Sequence, residues 1–178
     1  MDDIHFNTTL GNISVSFRSK PKELKKREFE KDEIHRILNL LNIPSESLSY
    51  GPLGNPILSL EGKFVSFSHS EGWFAVYLGN SKLGVDIQVF HKRIIDGKSY
   101  FTNERDSHWT DELNLHLIWA AKEAIFKKHE GKMTDCRVEV SILQIDLENQ
   151  TISGMYNEQS ENLKFEKLEN AVLVYTLD

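Results

Sequence analysis

The chain has 178 residues, of which 39% are hydrophobic and 27% are charged, values typical of a folded globular protein rather than a disordered one. Its 21 lysines and arginines against 27 aspartates and glutamates give a formal net charge of −6, which argues against a sequence-independent nucleic-acid-binding protein. The single cysteine, Cys136, excludes an intrachain disulfide and a zinc site with paired cysteines.

The N-terminal segment is acidic and lacks the basic start and apolar run of a secretory signal peptide. No stretch approaches the roughly 18 uninterrupted apolar residues of a membrane-spanning helix. We therefore expect a cytoplasmic protein that does not interact with membranes.

The first half of the chain predicts a strand, a long helix and then several short strands. Apolar and polar residues alternate over 12–18, which is typical of a half-buried strand. Residues 22–41 carry apolar side chains at helical spacing, namely Ile34, Ile37, Leu38 and Leu41. A loop rich in glycine and proline at 51–56 follows. Strand-like runs then lie at 57–60, 63–67, 73–78 and 83–90.

The second half repeats this order of elements. Thr110 is the predicted N-cap of a helix that ends near Glu130, with Gly131 after it. Further strands are predicted at 138–147, 151–156, 163–165 and 172–177. We expect an α+β fold of two similar lobes, residues 1–82 and 83–178, each a long helix packed on a small antiparallel sheet, together forming one unit. A ligand cleft is expected where the lobes join.

Asp86 and Gln88 are polar positions inside an apolar strand. Val85, Ile87 and Val89 alternate with them, so the two oxygen-bearing side chains share one face. Aspartate is depleted in strands, which points to a compensating role such as metal ligation. The alternative is a solvated aspartate on the exposed face of an edge strand.

Trp119, Glu123 and Lys127 form a second polar feature, because their spacing of four places them in one stripe along the margin of the apolar helix face. The large aromatic beside the charged pair favours a cleft. The alternative is an ordinary exposed ion pair between Glu123 and Lys127, worth about 0.2 to 0.5 kcal/mol.

The third feature is the segment Ser68-His69-Ser70 at the end of an alternating strand. Hydroxyl, imidazole and backbone N–H groups at a strand end can bind phosphate oxygens. The alternative interpretation is that residues 68–72, which continue through Glu71 and Gly72, form a polar hairpin turn.

Taken in chain order, residues 68–70, 84–88 and 119–127 resemble the signature motifs of the 4′-phosphopantetheinyl transferases. The family patterns are roughly Ser-His after a strand, Gly-x-Asp-x-Glu, and Trp-x-x-Lys-Glu-x-x-x-Lys. Residues 119–127 (WAAKEAIFK) match the last and most specific of these. The likeness covers roughly residues 50–145, including a Gly54-Asn55-Pro56 turn. It implies the larger, monomeric, pseudo-dimeric surfactin-type subfamily.

The resemblance implies transfer of the phosphopantetheine arm of coenzyme A to a serine of an apo acyl or peptidyl carrier protein. Asp86, Glu123 and Gln88 match the metal positions for Mg²⁺, with Mn²⁺ as an alternative. Asp86, Glu123 and Lys127 match the catalytic residues. Coenzyme A contacts are implied for Ser68, His69, Lys122, Lys127, Arg36 and Asn55. Whether the carrier serves fatty acid, polyketide or peptide synthesis is not indicated.

Two positions depart from the family pattern. Gln88 stands where many relatives have a third acidic ligand, which would lower the affinity for metal. Asn55 replaces the basic residue of the family's Gly-Lys-Pro turn, which removes one phosphate contact. These departures leave open a degenerate member that binds coenzyme A or a carrier without catalysis. A metal-dependent phosphohydrolase is a further alternative, because the same carboxylate and lysine set could activate water.

Overall fold

The computed structural model describes residues 3–178, and within this range the fold is α+β with antiparallel sheets and few helices. The strands are β1 Ile4–Asn7, β2 Gly11–Phe17, β3 Leu48–Tyr50, β4 Pro56–Leu58, β5 Phe64–Ser70, β6 Trp73–Gly79, β7 Val85–Val89, β8 Val140–Asp146, β9 Thr151–Tyr156, β10 Gln159–Lys167 and β11 Ala171–Thr176. The helices are α1 Lys26–Leu40, α2 Arg93–Asp96, α3 Glu112–Lys128 and α4 Cys136–Glu139. No helix in residues 3–178 is long and apolar enough to cross a membrane.

The first sheet has the strand order β1-β2-β6-β5, and its pairs are antiparallel. Helix α1 packs on one face of this sheet. The apolar residues whose helical spacing predicted α1 lie on its buried side. The core between helix and sheet contains Phe29, Ile34, Ile37 and Leu38 from α1 and Val65, Phe74 and Val76 from the sheet.

The second sheet has the order β7-β11-β10-β9-β8 and is also antiparallel. Helix α3 packs on one face of it, over β7 and β11. The predicted apolar face of this helix is confirmed, because Leu117, Ala120, Ala121, Ala124 and Ile125 are all fully buried there.

The two sheets pack against each other through their remaining faces. The interior between them contains Ile13, Val15, Trp73, Ala75 and Tyr77 from the first sheet and Val85, Ile87, Val89, Leu173 and Tyr175 from the second. The layers therefore run α1, first sheet, second sheet, α3. The edge strands β5 and β7 lie next to each other where the two sheets meet. The division into lobes at 82/83 stays a prediction.

Several predicted boundaries shift for identifiable local reasons. The N-cap of α3 is Asp111 rather than Thr110, because the Asp111 carboxylate accepts the N–H of Asn114 at 3.0 Å. The helix ends at Lys128 instead of Glu130, since Glu130 already has a φ of 59°. Val138 was predicted in a strand but lies in α4. Asp135 caps the N-terminus of α4, because its carboxylate accepts the N–H of Arg137 at 3.0 Å.

The hairpin turn considered for residues 68–72 forms only at the end of that segment, because Ser68, His69 and Ser70 belong to β5 and pair with β6. The turn consists of Glu71 and Gly72, which have φ of 45° and 95°. Two consecutive positive φ values suit the tight turn that joins antiparallel strands.

Candidate functional site

Asp86 lies in the middle of β7 and is 3% exposed. The predicted alternation is confirmed, since Val85, Ile87 and Val89 face the interior between the sheets. The other face of β7 is covered by α3, so Asp86 points under the helix and not into solvent. The alternative of a solvated aspartate on an open face is therefore wrong. A buried carboxylate requires hydrogen-bonding or charged partners.

Three donors surround the Asp86 carboxylate. The hydroxyl of Ser68 on β5 donates to Oδ1 at 2.7 Å, and the ammonium of Lys127 on α3 donates to the same oxygen at 2.5 Å. The Gln88 side-chain amide donates to Oδ2 at 2.7 Å. Both oxygens are thus satisfied by groups from three different elements.

Glu123 and Lys127 occupy consecutive turns of α3 above this carboxylate. Lys127 also donates to the backbone oxygen of Val85 at 3.1 Å, which ties the helix to β7. Lys127 therefore pairs with Asp86, and the exposed Glu123–Lys127 ion pair considered from the sequence does not form.

Glu123 is half-buried and accepts no hydrogen bond from the described residues. Burial raises the pKa of its carboxyl group above the usual range, the Asp86 charge raises it further, and Lys127 acts in the opposite direction. The two carboxylates are therefore close enough to repel each other. Burial also raises the pKa of the Cys136 thiol to about 11, and the Glu123 charge adds to this.

A divalent cation is compatible with this pair. Within residues 3–178, no group of three or more His, Cys, Asp and Glu side chains is arranged to hold a metal. Mg²⁺, however, is commonly bound by one or two carboxylates together with substrate phosphates and water. Glu123 has open oxygens beside a second negative charge, and a cation would relieve that repulsion. Gln88 could contribute only its amide oxygen, because its nitrogen is engaged with Asp86.

A cleft of about 840 Å³ opens next to the cluster, between α1, the β3–β4 hairpin, β5 and the end of α3. This volume lies within the range of small-molecule and cofactor sites. Five residues predicted for the site line it: Asn55, Ser68, His69, Asp86 and Lys127. The sequence motifs that are far apart in the chain thus meet at one cavity.

Two lysines in the cleft were not singled out from the sequence. Lys31 on α1 is exposed and forms no ion pair within the described chain. Lys63, just before β5, donates to the neutral amide oxygen of Asn80 at 2.7 Å and forms no ion pair with any residue in the range 3–178. Their charges are available to a phosphate. Nothing in the local sequence separates them from other surface lysines, since the cleft forms only when α1 meets the first sheet.

His69 and Asn55 line the cleft but have local partners. The His69 Nδ1 lies 3.3 Å from a carboxylate oxygen of Glu30 on α1. The Asn55 side chain lies against Gly51, whose N–H donates to the Asn55 carbonyl at 2.8 Å. A Cβ at position 51 would overlap the Asn55 side chain. Asn55 therefore helps to close its own turn.

Lys122 and Arg36 lie outside the cleft lining. Lys122 is 0% exposed, with its ammonium 2.8 Å from Asp106 and 2.9 Å from the backbone oxygen of Arg137. Burial lowers the pKa of this ammonium and Asp106 opposes that effect. Arg36 is held by Asp3 at 2.9 Å and Glu33 at 2.5 Å. Their roles as coenzyme A contacts stay predictions, although the structure gives both residues protein partners.

No protein-family model matches the chain. A curated protein, the 4′-phosphopantetheinyl transferase gsp of Aneurinibacillus migulanus, is 24% identical over 125 residues, which are 65% of this chain and 49% of that protein. The chain thus spans about half the length of this curated relative. The similarity supports the phosphopantetheinyl transferase superfamily and a transferase at the family level.

Proposed function

We propose that the protein transfers the 4′-phosphopantetheine arm of coenzyme A to a serine of an apo acyl or peptidyl carrier protein and releases 3′,5′-bisphosphoadenosine. One observation carries this proposal: Asp86, Ser68 and Lys127 line a cofactor-sized cleft and are joined by hydrogen bonds. Glu123 does not line the cleft but is near enough to Asp86 and Lys127 for their charges to shift its pKa. The similarity to a curated phosphopantetheinyl transferase supports the same reaction.

We also propose the surfactin-type, pseudo-dimeric arrangement within one chain. Each of the two sheets carries one long helix, α1 or α3, which supports this proposal. Coenzyme A would enter the cleft, where Lys31, Lys63 and Lys127 provide positive charge for its phosphates.

In the proposed reaction, the serine Oγ forms a bond to the phosphorus that carries the pantetheine arm. The bond from this phosphorus to the bridging oxygen breaks, and that oxygen leaves on bisphosphoadenosine. Glu123 accepts the serine proton. A base is most effective when its pKa lies near the operating pH, and burial together with Asp86 raises the pKa of Glu123 in that direction. Lys127 stabilises negative charge on the phosphate oxygens.

Asp86 and Glu123 would hold Mg²⁺, or Mn²⁺ as an alternative, and Gln88 could order a water beside it. When bound, the ion neutralises charge on the pyrophosphate and orients it. The carboxylate of Glu123 supports this assignment, because it accepts no hydrogen bond from residues 3–178.

A second candidate is a member of the superfamily that binds coenzyme A or a carrier protein without catalysis. It is favoured by the Asp86 environment, because three protein donors already satisfy this carboxylate without a cation. The departures at Gln88 and Asn55 point the same way.

Mass spectrometry of the carrier separates the two candidates. The protein is incubated with coenzyme A, MgCl₂ and a panel of apo carrier proteins. Catalysis adds the mass of one phosphopantetheine arm to a carrier, and this gain should disappear with Asp86→Asn, with Glu123→Gln or with a chelator. Binding of coenzyme A with no mass gain on any carrier would favour the second candidate. Consumption of coenzyme A without a carrier would indicate a phosphohydrolase.

A further inference from the structure

Three serines of β5 form hydrogen bonds across the junction between the two sheets. The hydroxyl oxygens of Ser66, Ser68 and Ser70 accept the backbone N–H groups of Val85, Ile87 and Val89 at 3.2, 3.1 and 3.2 Å. These N–H groups lie on the edge of the second sheet and would otherwise need another acceptor. The three serines are thus equivalent in what they do for the β7 backbone.

Ser68 has an additional partner that the other two serines lack. Its hydroxyl donates to Asp86 Oδ1 at 2.7 Å, and the residue is 6% exposed. A hydroxyl has a single proton to donate. A phosphate oxygen is an acceptor, so it could bind the Ser68 hydroxyl only by taking the proton that Asp86 now receives.

We propose that Ser68 is a positioning residue that orients Asp86, rather than a coenzyme A contact. This inference rests on the proposed function, in which Asp86 is a cation ligand. Ser68 is anchored from behind by the Ile87 N–H and directs its proton at one carboxylate oxygen. The orientation of Asp86 is thereby coupled to the junction of the two sheets. Partners that orient a metal-ligating side chain typically change metal affinity by about 10- to 100-fold when they are removed.

The test compares Ser68→Ala with Ser66→Ala and Ser70→Ala, which remove the same kind of bond to β7 without touching Asp86. Ser68→Thr retains the hydroxyl and serves as the conservative variant. The first readout needs neither metal nor coenzyme A: the ¹³C resonance of the Asp86 side-chain carboxyl at one fixed pH, assigned by its loss in Asp86→Asn. We expect Ser68→Ala to move this resonance, and the other two alanine variants and Ser68→Thr to leave it in place.

Two binding measurements complete the experiment. Mn²⁺ binding, followed by electron paramagnetic resonance of the free ion, should weaken about tenfold in Ser68→Ala and less than twofold in Ser66→Ala, Ser70→Ala and Ser68→Thr. Coenzyme A binding in a chelator, measured by calorimetry, should stay within about twofold of the wild type, as expected if no ligand contact is lost.

Three results would overturn the inference. The first is an unchanged Asp86 resonance in Ser68→Ala. The second is an equal loss of Mn²⁺ binding in Ser66→Ala or Ser70→Ala, which would indicate a general loosening of the junction. The third is a large loss of metal-free coenzyme A binding in Ser68→Ala. If the wild type binds neither Mn²⁺ nor coenzyme A, the proposed function fails, and the Asp86 resonance still decides whether Ser68 orients that carboxylate.

Discussion

Replacing Lys122 by methionine tests whether this motif lysine stabilises the fold or binds substrate. The methionine keeps much of the side-chain volume but removes the ammonium. Asp106, which is also 0% exposed, would then keep only the backbone N–H groups of Asn103 at 2.7 Å and Ile142 at 3.2 Å. A buried carboxylate without its counterion is the expected consequence.

Removing one partner of a buried ion pair typically costs about 3 to 5 kcal/mol, because the remaining charge stays desolvated. For a chain of this size, each kcal/mol lowers the melting temperature by roughly 2 to 4 °C. Lys122→Met should therefore lower the melting temperature by about 6 to 20 °C. The matched control is Lys132→Met, since the Lys132 side chain is 62% exposed and solvent screens its ion pair with Glu130, so its loss should leave the melting temperature almost unchanged.

Thermal and urea unfolding measure these differences. The double variant Lys122→Met/Asp106→Asn removes both charges while keeping an acceptor oxygen, so it should recover part of the lost stability. A melting temperature for Lys122→Met equal to that of the control, combined with a large loss of coenzyme A affinity, would refute the structural role and restore the predicted phosphate contact.

Three further predictions concern the site. In a chelator, Glu123→Gln should be more stable than the wild type at neutral pH, because burial and Asp86 disfavour the charged form of Glu123 in the folded state. The difference should begin to shrink as the pH falls through the raised pKa of folded Glu123 and should vanish below the ordinary pKa of this carboxyl group in the unfolded chain. Urea unfolding across pH checks this, and a less stable variant at neutral pH would contradict it. Gln88→Glu should bind Mg²⁺ more tightly than the wild type, because it adds a negative charge, and the wild type should still transfer phosphopantetheine. The magnesium requirement of the two proteins checks this, and transfer to the carrier by the variant alone would contradict the prediction. Gly84→Ala should lower the free energy of unfolding by at least about 1 to 3 kcal/mol, because the added Cβ would overlap a carbonyl of α3. In the control Gly97→Ala, the added Cβ meets no heavy atom closer than 3.6 Å, so the free energy of unfolding should hardly change. Urea unfolding measures both, and equal losses in the two variants would contradict the prediction.

The elements with clear periodicity were predictable because their signal is local. The alternation that continues from β5 into Ser68 and the apolar stripe of α3 are both visible in short windows of sequence. Strand β1 and helix α4 were missed. Strand β1 has only four residues, and its pairing with β2 is a tertiary contact. Helix α4 is a single capped turn in which Val138 was assigned to the neighbouring strand.

The sequence did not predict the partners of a side chain where those partners are distant in the chain. The alternation in β7 predicted which face of the strand carries Asp86. The burial of Asp86, however, depends on α3 lying across that face. Lys122 was predicted to contact coenzyme A because it matches a position of the family motif, and that role stays a prediction. Its pairing with Asp106 was not visible in the sequence, because Asp106 lies in a loop without any regular pattern. Sequence spacing gave the candidate residues, whereas the partners of each were set by packing.

Gly84 allows the motif that contains Gly84 and Asp86 to lie close to the motif of α3 that contains Glu123 and Lys127. A Cβ on Gly84 would overlap the carbonyl oxygen of Ala124 and lie 2.9 Å from the backbone nitrogen of Lys128, so the helix reaches β7 only because position 84 has no side chain. Glu123 and Lys127 flank this contact on α3. At this close approach Lys127 bonds both the Val85 carbonyl and the Asp86 carboxylate. The glycine therefore sets the separation of helix and strand, and that separation brings the two carboxylates near each other.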